Sequence, residues 1–465
     1  MSGTSTIDGL TASLERMREA RVPEPGLRAF ADYYERLRNG DMGVLSEDEI
    51  EPVTDLPDFR ELRVSDARAS EALDHTIVLK LNGGLGTSMG LERAKSLLRV
   101  KGELTFLDII VRQVLSIRAS SGARLPLVLM NSYATHEDTL GALARYPELD
   151  VGIPLAFLQN QFPRLTPDDR RPVSWPANPA LEWAPPGHGD LYTAILASGM
   201  LDTLLERGYR YAFVSNSDNL GATLEPRILA WFAREQLPFL MEVADRTQAD
   251  RKGGHLARLH DDGLVLRESA QTPEQDIDAF RDIDHHRFFN TNNLWLNLES
   301  LAEVLRERDG VLGLPMIVNR KAVDPSDAST PAVLQLEAAM GAAIGVFGGA
   351  EAIRVPRRRF APVKATDDLL AVRSDAYVVT GEARVELAPE RDERPPIVEL
   401  DPQYYKLLGQ FEPRFPAGPP SLVACERLKV VGDVVFGRDV EIRGTVVIEH
   451  SDGQLRIEDG AELAG

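Results

Sequence analysis

The chain has 465 residues, a length that suits about three domains with a sizeable core. Hydrophobic residues make up 43% and charged residues 27%, as in ordinary globular proteins, and the net charge of −20 excludes general nucleic-acid affinity, which needs a basic face. The single cysteine, Cys425, excludes an internal disulfide and a multi-cysteine metal site and fits a reducing cytosol. Charged residues from Glu15 onward interrupt any signal peptide, and no apolar run approaches a membrane span, so we expect a cytoplasmic protein without a membrane partner.

Two kinds of pattern follow one another along the chain. Apolar residues at helical spacing lie on both sides of a break at Pro23-Glu24-Pro25, which predicts two amphipathic helices between residue 5 and about residue 40. From Thr76 to about Leu370, short β-rich runs alternate with helical patterns, which predicts a mostly parallel α/β sheet with ligands at the carboxyl ends of its strands. Examples of these runs are Leu125–Met130, Leu155–Gln159, Tyr211–Ser215 and Phe239–Val243.

One segment of the α/β region has the pattern of a phosphate site. The apolar run Thr76–Leu81 predicts a buried strand, and it ends at Asn82-Gly83-Gly84-Leu85-Gly86, where glycines permit a ligand to approach the backbone closely. Lys95 follows within reach of that loop. A strand, a glycine loop and a lysine can hold phosphates through backbone N–H groups and a mobile cation. A tight turn in an ordinary α/β domain is the alternative interpretation.

Two standard phosphate motifs do not fit this segment. Met89 stands where the dinucleotide fingerprint needs a glycine, and Ala94 precedes Lys95 where the P-loop needs one. We therefore expect a phosphate-binding loop of another class, which argues against both hydride transfer and P-loop hydrolysis.

Polar clusters follow two of the predicted strands. Phe213–Asn219 runs from a strand into a cluster whose Asp218 suits Mg²⁺, since Mg²⁺ prefers one or two carboxylates plus phosphate oxygens. The alternative role of Asp218 is to cap the next helix. Phe289–Trp295 places three amides beside a strand, an arrangement that suits either sugar hydroxyls or a simple turn.

Two further segments are predicted to be loops near the ligand. Seven prolines between Phe162 and Pro186 predict a long structured loop over the crevice, ending at a histidine, His188, that is flanked by glycines. That histidine either approaches a ligand or has a structural role in the loop. Arg357–Lys364 is a basic run in an acidic protein, and it forms a solvated face unless Lys364 points into the crevice.

The last forty residues have a six-residue apolar period. This period is typical of a β-helix whose flat sides are hexapeptides, and a β-meander with chance spacing is the alternative. Because so few coils cannot bury their own ends, we expect them to stack on another domain or another subunit. The two interleaved series are Leu428, Val434, Val440, Val446 and Val430, Phe436, Ile442, Ile448.

Taken in order, these segments resemble the eukaryotic-type UTP–glucose-1-phosphate uridylyltransferase (UDP-glucose pyrophosphorylase) family. The resemblance runs from about Asp74 through Tyr377 and resumes over the C-terminal repeats. It implies a Rossmann-like, GT-A-like nucleotidyltransferase with an N-terminal helical segment (1–70), a catalytic α/β domain (71–385) and a short C-terminal left-handed β-helix (386–465). The motifs that carry it are LNGGLGTSMG, Lys95-Ser96, LTFLD, PPGHGD, SNSDNLGAT, KGG, FNTNNLW, QLEAAMGAAI and PVKATDDLL.

The resemblance also implies a role for each matching residue. Gln159 would read the uracil edge, Asp218 would bind Mg²⁺, and Lys95 and Lys364 would be the catalytic lysines. The implied nucleotide-binding set is Leu81, Asn82, Gly83, Gly84, Lys95, Gln159, Gly187, Asp218 and Lys364. The implied substrate-binding set is His188, Asn216, Ser217, Gly254 and Asn292.

The implied reaction transfers UMP from UTP to glucose 1-phosphate, giving UDP-glucose and pyrophosphate. The sugar phosphate is already a nucleophile, so in-line attack on the α-phosphorus needs positioning and charge neutralisation rather than a protein base. The alternatives are a UDP-sugar pyrophosphorylase of broader sugar 1-phosphate specificity and a non-catalytic UDP-sugar-binding protein. Because the chain stops soon after the repeats, we expect a monomer or a small homo-oligomer.

Overall fold

The computed structural model of the chain describes residues 8–261, 263–325, 327–392 and 394–465. Among these residues, no helix is both long enough and apolar enough to cross a membrane. The helices are α1 (Gly9–Glu19), α2 (Glu24–Asn39), α3 (Asp66–Asp74), α4 (Phe106–Ser121), α5 (His136–Leu143), α6 (Leu191–Ala197), α7 (Met200–Glu206), α8 (Pro226–Arg234), α9 (Ile277–Arg281), α10 (Leu298–Glu307), α11 (Thr366–Arg373), α12 (Pro402–Tyr405) and α13 (Leu408–Phe411).

Ten strands form the central sheet. They are β1 (Ile50–Pro52), β2 (Thr76–Asn82), β3 (Leu127–Asn131), β4 (Ala156–Leu158), β5 (Tyr211–Asn216), β6 (Phe239–Asp245), β7 (His255–Leu259), β8 (Leu264–Arg267), β9 (Phe288–Asn297) and β10 (Glu351–Arg354). Each of the five runs predicted as strands forms one, with ends shifted by one or two residues. Strand β1 lies within the segment predicted to be helical and pairs with β7 at the edge of the sheet.

The two predicted N-terminal helices are confirmed, although residues 5–7 of the prediction lie outside the described residues. Asp8 caps α1 by accepting a hydrogen bond from the backbone of Leu10. Pro25 lies in the first turn of α2, where the missing N–H costs no helical bond. The proline-rich break therefore marks the start of the second helix. Both helices pack against the same core cluster as one face of the central sheet.

The central sheet is mixed but largely parallel. Hydrogen bonding connects the strands in the order β4–β3–β2–β5–β9–β6–β10. Six of these seven strands point in one direction, because β9 alone runs antiparallel to its neighbours β5 and β6. Apolar clusters cover both faces of the sheet, which explains why every residue of β2 is buried. The chain is thus a mixed α/β protein with a largely parallel central sheet.

The C-terminal region contains four parallel strands, β11 (Ile397–Leu400), β12 (Cys425–Phe436), β13 (Glu441–Ile457) and β14 (Glu462–Ala464). Leu428 pairs with Val446 and Val430 with Ile448, so the register between β12 and β13 spans three predicted six-residue repeats. Cys425, at the start of β12, is fully buried, and burial raises the pKa of its thiol to about 11.

The C-terminal strands pack on the rest of the chain. A single apolar cluster contains Met89 from the glycine loop, Val363 and the buried residues of β12 and β13. The expectation that the repeats stack on another part of the protein is therefore confirmed. The cluster also fixes the segment just before Lys364 relative to the glycine loop.

Candidate active site

The predicted site residues lie at the carboxyl ends of parallel strands. Strand β2 leads into the glycine loop, β4 ends one residue before Gln159, and β5 ends at Asn216, two residues before Asp218. Asn216 is paired in register with Leu81 at the end of β2. Because parallel strands end at the same edge of a sheet, three segments far apart in sequence meet there.

The glycine loop and Gln159 are in direct contact. A Cβ on Gly83 would lie 2.7 Å from Oε1 of Gln159, so a side chain at this position would displace the glutamine. Gln159 is buried, and its backbone N–H donates to the carbonyl of Asn131. The glutamine side chain is therefore held against the loop, with an amide that can both donate and accept.

Leu81 and Asn82 anchor the start of the glycine loop. The side chain of Leu81 is buried in the core, and its carbonyl accepts a hydrogen bond from the N–H of Ser217 at 3.1 Å. The Asn82 amide donates to Asn131 at 2.8 Å and to Thr139 at 2.9 Å, beneath the loop. The Asn82 side chain thus fixes the start of the loop to β3 and α5.

Lys95 and Asp218 form an ion pair at the mouth of the crevice. Nζ of Lys95 lies 2.7 Å from Oδ2 of Asp218, and both side chains are partly exposed. The backbone N–H of Lys95 also donates to the carbonyl of Gly84, which fixes the base of the lysine against the glycine loop. These two predicted site residues, which lie 123 positions apart in the sequence, are thus in contact. Asp218 does not act as the cap of α8, because Glu225 does.

Lys364 lies beside this pair because its segment is bonded to the strand end. The N–H of Val363 donates to the carbonyl of Asp218, and the N–H of Leu220 donates to the carbonyl of Ala361. Lys364 itself is exposed, and its ammonium group lies 5.6 Å from the ring centre of Phe360. The run is thus bonded to the strand end, with Arg359 buried and with Arg357, Arg358 and Lys364 exposed, as expected of a solvated face.

Gly187 and His188 pack against the end of the hairpin of strands Met316–Ala322 and Ala332–Ala338 and against the segment that follows it. A Cβ on Gly187 would lie 2.6 Å from the carbonyl oxygen of Ala338, so only glycine fits this approach. Nδ1 of His188 accepts a hydrogen bond from the N–H of Met340 at 2.9 Å. Burial lowers the pKa of His188 to about 4, so the ring is neutral and Nε2 carries its proton. His188 is thus a neutral hydrogen-bond donor.

The turn that carries His188 is connected to Gln159. Asp190 accepts hydrogen bonds from the backbone N–H of Asn160 at 2.6 Å and from its amide at 2.8 Å. Burial raises the pKa of Asp190 to about 7, and the bonds from Asn160 oppose that rise. The residue after the predicted uracil reader is therefore fixed to the predicted sugar-phosphate side.

Asn292 occupies an irregular position in β9. A bulge interrupts the pairing of β6 with β9, where Glu242 opposes Asn293 and Val243 opposes Asn290. Asn292 lies in that bulge with a φ of 58°, a backbone conformation that residues other than glycine adopt rarely. Its Oδ1 accepts from the Asn290 amide at 2.8 Å. Backbone strain of this kind is common where a side chain must be aimed at a ligand.

Gly254 lies beside the same bulge and beside a carboxylate that the sequence did not single out. Its carbonyl accepts a hydrogen bond from the N–H of Asn290. A Cβ on Gly254 would lie 2.5 Å from Oε2 of Glu268. Burial raises the pKa of Glu268, and the positive charge of Lys364 opposes that rise, so lysine and carboxylate lie near one another.

A buried ion pair supports the crevice from below, and it too was missed. Glu242 and Arg359 form two hydrogen bonds of 2.7 Å, and both side chains are almost fully buried. Glu242 also accepts from the side chains of Asn293 and Trp295, each at 3.0 Å. The available signal was Glu242 itself, the one charged residue in the apolar run Phe239–Val243.

Comparison with known proteins agrees with this geometry. Residues 27–443 match the family model described as UTP–glucose-1-phosphate uridylyltransferase. The chain belongs to the UTP–glucose-1-phosphate uridylyltransferase family. It is 43% identical to the member from Solanum tuberosum over 404 residues, which cover 86% of this chain and 82% of that protein. It is 40% identical to the member from Hordeum vulgare over 476 residues, which cover 100% and 97%.

Solved structures of this family have the same fold. A crystal structure of mutant UDP-glucose pyrophosphorylase from Leishmania major in complex with UDP-glucose superposes with a TM-score of 0.91 at 46% identity. It covers 100% of this chain and 98% of that chain. The corresponding enzyme from Trypanosoma brucei gives a TM-score of 0.91 at 46% identity, covering 98% of each chain. The family resemblance inferred from the sequence motifs is confirmed, and with it membership of a family of nucleotidyltransferases.

Proposed function

We propose that this chain transfers UMP from UTP to glucose 1-phosphate, forming UDP-glucose and pyrophosphate. The observation that carries the proposal is the contact of Lys95 with Asp218 at the carboxyl ends of β2 and β5. A carboxylate, a mobile ammonium group and a glycine loop at one point of the sheet form a site for a polyphosphate and its metal ion. Family membership supports the same reaction.

The nucleotide lies along the glycine loop in this proposal. Backbone groups of residues 81–84 receive it, and Gln159 reads the uracil edge with the help of the Gly187 backbone. The contact of Gln159 with Gly83 supports this role, because a fixed amide matches one base edge better than a mobile one. A cytosine would leave the amide unpaired, at a cost of about 1–3 kcal/mol.

The sugar phosphate lies on the other side of the crevice. His188, as a neutral donor, together with Asn216 and Ser217, binds the phosphate, while Gly254 and Asn292 bind glucosyl hydroxyls. The hydrogen bonds that link His188 to Met340 and Asn292 to Asn290 support these roles, since they fix both groups before a ligand arrives.

Asp218 is the proposed ligand of Mg²⁺. A partly exposed carboxylate at a strand end fits this ion, which is commonly held by one or two carboxylates plus phosphate oxygens. When bound, Mg²⁺ neutralises phosphate charge. Lys95 exchanges its carboxylate partner for a phosphate oxygen, and Lys364 neutralises the charge that develops between the reacting phosphates.

No side chain acts as a nucleophile or general base in this mechanism. The phosphate oxygen of glucose 1-phosphate attacks the α-phosphorus of UTP, and the bond to the pyrophosphate oxygen breaks. Alignment of two anions against their mutual repulsion is the main task of the protein, and it falls to the glycine loop, Lys95 and Lys364.

The test is an assay of pyrophosphate release from Mg²⁺-UTP with three sugar phosphates. We expect glucose 1-phosphate to give the largest kcat/KM, well above galactose 1-phosphate and N-acetylglucosamine 1-phosphate. Comparable values for all three would favour a pyrophosphorylase of broad specificity. No pyrophosphate from any of them, with UDP-glucose still bound, would favour a non-catalytic binding protein.

The finer architecture also belongs to the proposal. We assign the catalytic α/β domain to residues 71–385 with a GT-A-like arrangement, preceded by segment 1–70 and followed by a left-handed β-helix at 386–465. The 18-residue spacing of Leu428 and Val446 supports the β-helix, since it equals three hexapeptides per coil. The proposed protein is a cytoplasmic monomer or small homo-oligomer. A light-scattering mass equal to an octamer would contradict that size.

A further inference from the structure

Two histidines and a glutamate meet outside the proposed catalytic site. Glu47, His285 and His286 each offer one ligand atom, and the three atoms lie within 4.8 Å of one another. Oε1 of Glu47 lies 2.8 Å from Nε2 of His286 and 3.4 Å from Nε2 of His285. One carboxylate oxygen thus faces two imidazole nitrogens that come from a segment more than 230 residues away.

The second oxygen of Glu47 is held by other groups. Oε2 accepts from Arg267 at 2.5 Å, and the other arm of that arginine donates to Asp276 at 3.1 Å. The backbone N–H of Glu47 donates to the same Asp276 carboxylate at 2.7 Å. The carboxylate is therefore fixed in orientation with Oε1 toward the histidines. Two carboxylates and one guanidinium leave a net charge of −1, which favours a cation.

One of the two imidazole rings is buried against a third histidine. His286 is fully buried and stacks on His255 with ring centres 3.8 Å apart. Nδ1 of His286 has no hydrogen-bond partner among the described residues, so Nε2, which faces Glu47, makes the polar contact of this buried ring.

We propose that Glu47, His285 and His286 form a zinc site. Two imidazoles and one carboxylate are a common zinc ligand set, and a tetrahedral ion with bonds near 2.1 Å separates its ligand atoms by about 3.4 Å. The separation of Glu47 from His285, 3.4 Å, equals that value, and the separation from His286, 2.8 Å, is shorter and would have to lengthen when the ion enters. The His285 side chain is 46% exposed, which gives the ion a path from solvent and room for water as the fourth ligand.

The position of the site indicates a structural purpose. Glu47 begins the short turn that leads into β1, and His286 lies two residues before β9. Zinc would therefore join the edge of the sheet to the strand whose bulge carries Asn292. A bound ion that is absent from the unfolded chain raises the unfolding temperature.

The test is calorimetric titration of chelator-treated full-length protein with zinc chloride. We expect one equivalent of zinc to bind and the thermal unfolding midpoint to rise. His285→Ala should weaken binding at least tenfold while leaving the circular dichroism spectrum unchanged, because its ring is half-exposed. Glu47→Gln should weaken binding to a similar degree.

His260→Ala is the matched control. His260 is an exposed histidine beside another carboxylate, with Nδ1 3.5 Å from Glu51, but it lies outside the triad. Zinc affinity should therefore not change in this variant. The proposal is overturned if the wild-type chain binds far less than one equivalent, or if His285→Ala binds zinc as tightly as the wild type and the His260→Ala control do.

Discussion

Two groups of ionisable residues, each with two basic side chains and one carboxylate, differ mainly in their exposure. The crevice group consists of Lys95, Lys364 and Asp218, and the buried group consists of Lys80, Arg359 and Glu242. In the buried group Glu242 has four hydrogen bonds, and Lys80 donates to Ser215 and to the carbonyl of Ala222. In the crevice both side chains of the Lys95–Asp218 pair are partly exposed to solvent. Similar side chains thus stabilise the fold where all their hydrogen bonds are made internally, and they can exchange partners with a ligand where solvent reaches them.

One short segment contributes a basic residue to each group. Arg359 and Lys364 lie five residues apart, and the chain between them is fixed by Asn219, whose side chain donates to the Arg359 carbonyl and accepts from the N–H of Ala361. The buried pair therefore positions the exposed lysine. This difference between the two groups can be tested by removing one charge at a time.

The largest effect is expected from the buried group. Glu242→Gln leaves Arg359 as a buried cation without its counter-charge, which should lower the free energy of unfolding by about 3–5 kcal/mol. Urea denaturation measures this loss. The control is Glu399→Gln, which breaks the half-exposed pair with Arg427 and should cost at most about 1 kcal/mol. Equal losses of unfolding free energy in the two variants would show that burial does not increase the contribution of the Glu242–Arg359 pair to stability.

The next effect is expected in the crevice and on rate alone. Lys364→Ala should lower kcat by about 10²–10³, the range for loss of one donor to a developing charge. Because Lys364 is exposed, the unfolding temperature should not change. Lys406→Ala, at another exposed lysine, should leave kcat unaltered. Unchanged turnover in the first variant would remove Lys364 from the proposed mechanism.

A smaller effect is expected from the carboxylate of the crevice. Asp218→Asn should raise the Mg²⁺ concentration for half-maximal rate about tenfold, equivalent to roughly 1.4 kcal/mol of binding. The measurement is a Mg²⁺ titration at saturating UTP and glucose 1-phosphate. A titration curve identical to that of the wild type would contradict the assignment of Asp218 as the metal ligand.

The smallest effect is a slope with pH. Burial lowers the pKa of Lys80 from 10.5 to about 7, with a contribution from Arg359. Between these values the unfolded chain binds a proton that the folded chain lacks, so stability rises with pH from about 7 to 10.5. The rise should be about 1.2 kcal/mol between pH 7.5 and 8.5 relative to Lys80→Met, measured by urea denaturation. Parallel pH profiles for the two proteins would mean that Lys80 keeps its ordinary pKa.

Local patterns in the sequence predicted much of the crevice. The strand before Asn82, the glycine loop and the aspartate after β5 are each encoded in a few consecutive residues, and the family motifs connect them. The buried group was not predictable in this way, because the partners Glu242 and Arg359 lie 117 residues apart. The bulge at Asn292 depends on the register of β6 against β9, which the amide-rich sequence alone does not determine. The six-residue period of the C-terminal repeats was visible in the sequence, because Leu428, Val434, Val440 and Val446 are apolar and recur at a fixed interval.

The burial of Cys425 provides a way to measure the local opening of the C-terminal strands. Its sulfur is shielded at the start of β12, and its high pKa keeps the thiolate population low at neutral pH. A thiol reagent can therefore modify the chain only when β12 separates from its neighbours. Since there is no second sulfhydryl to compete, the modification rate reports the local opening equilibrium of this region directly. The native chain thus contains its own probe of local opening in the C-terminal strands.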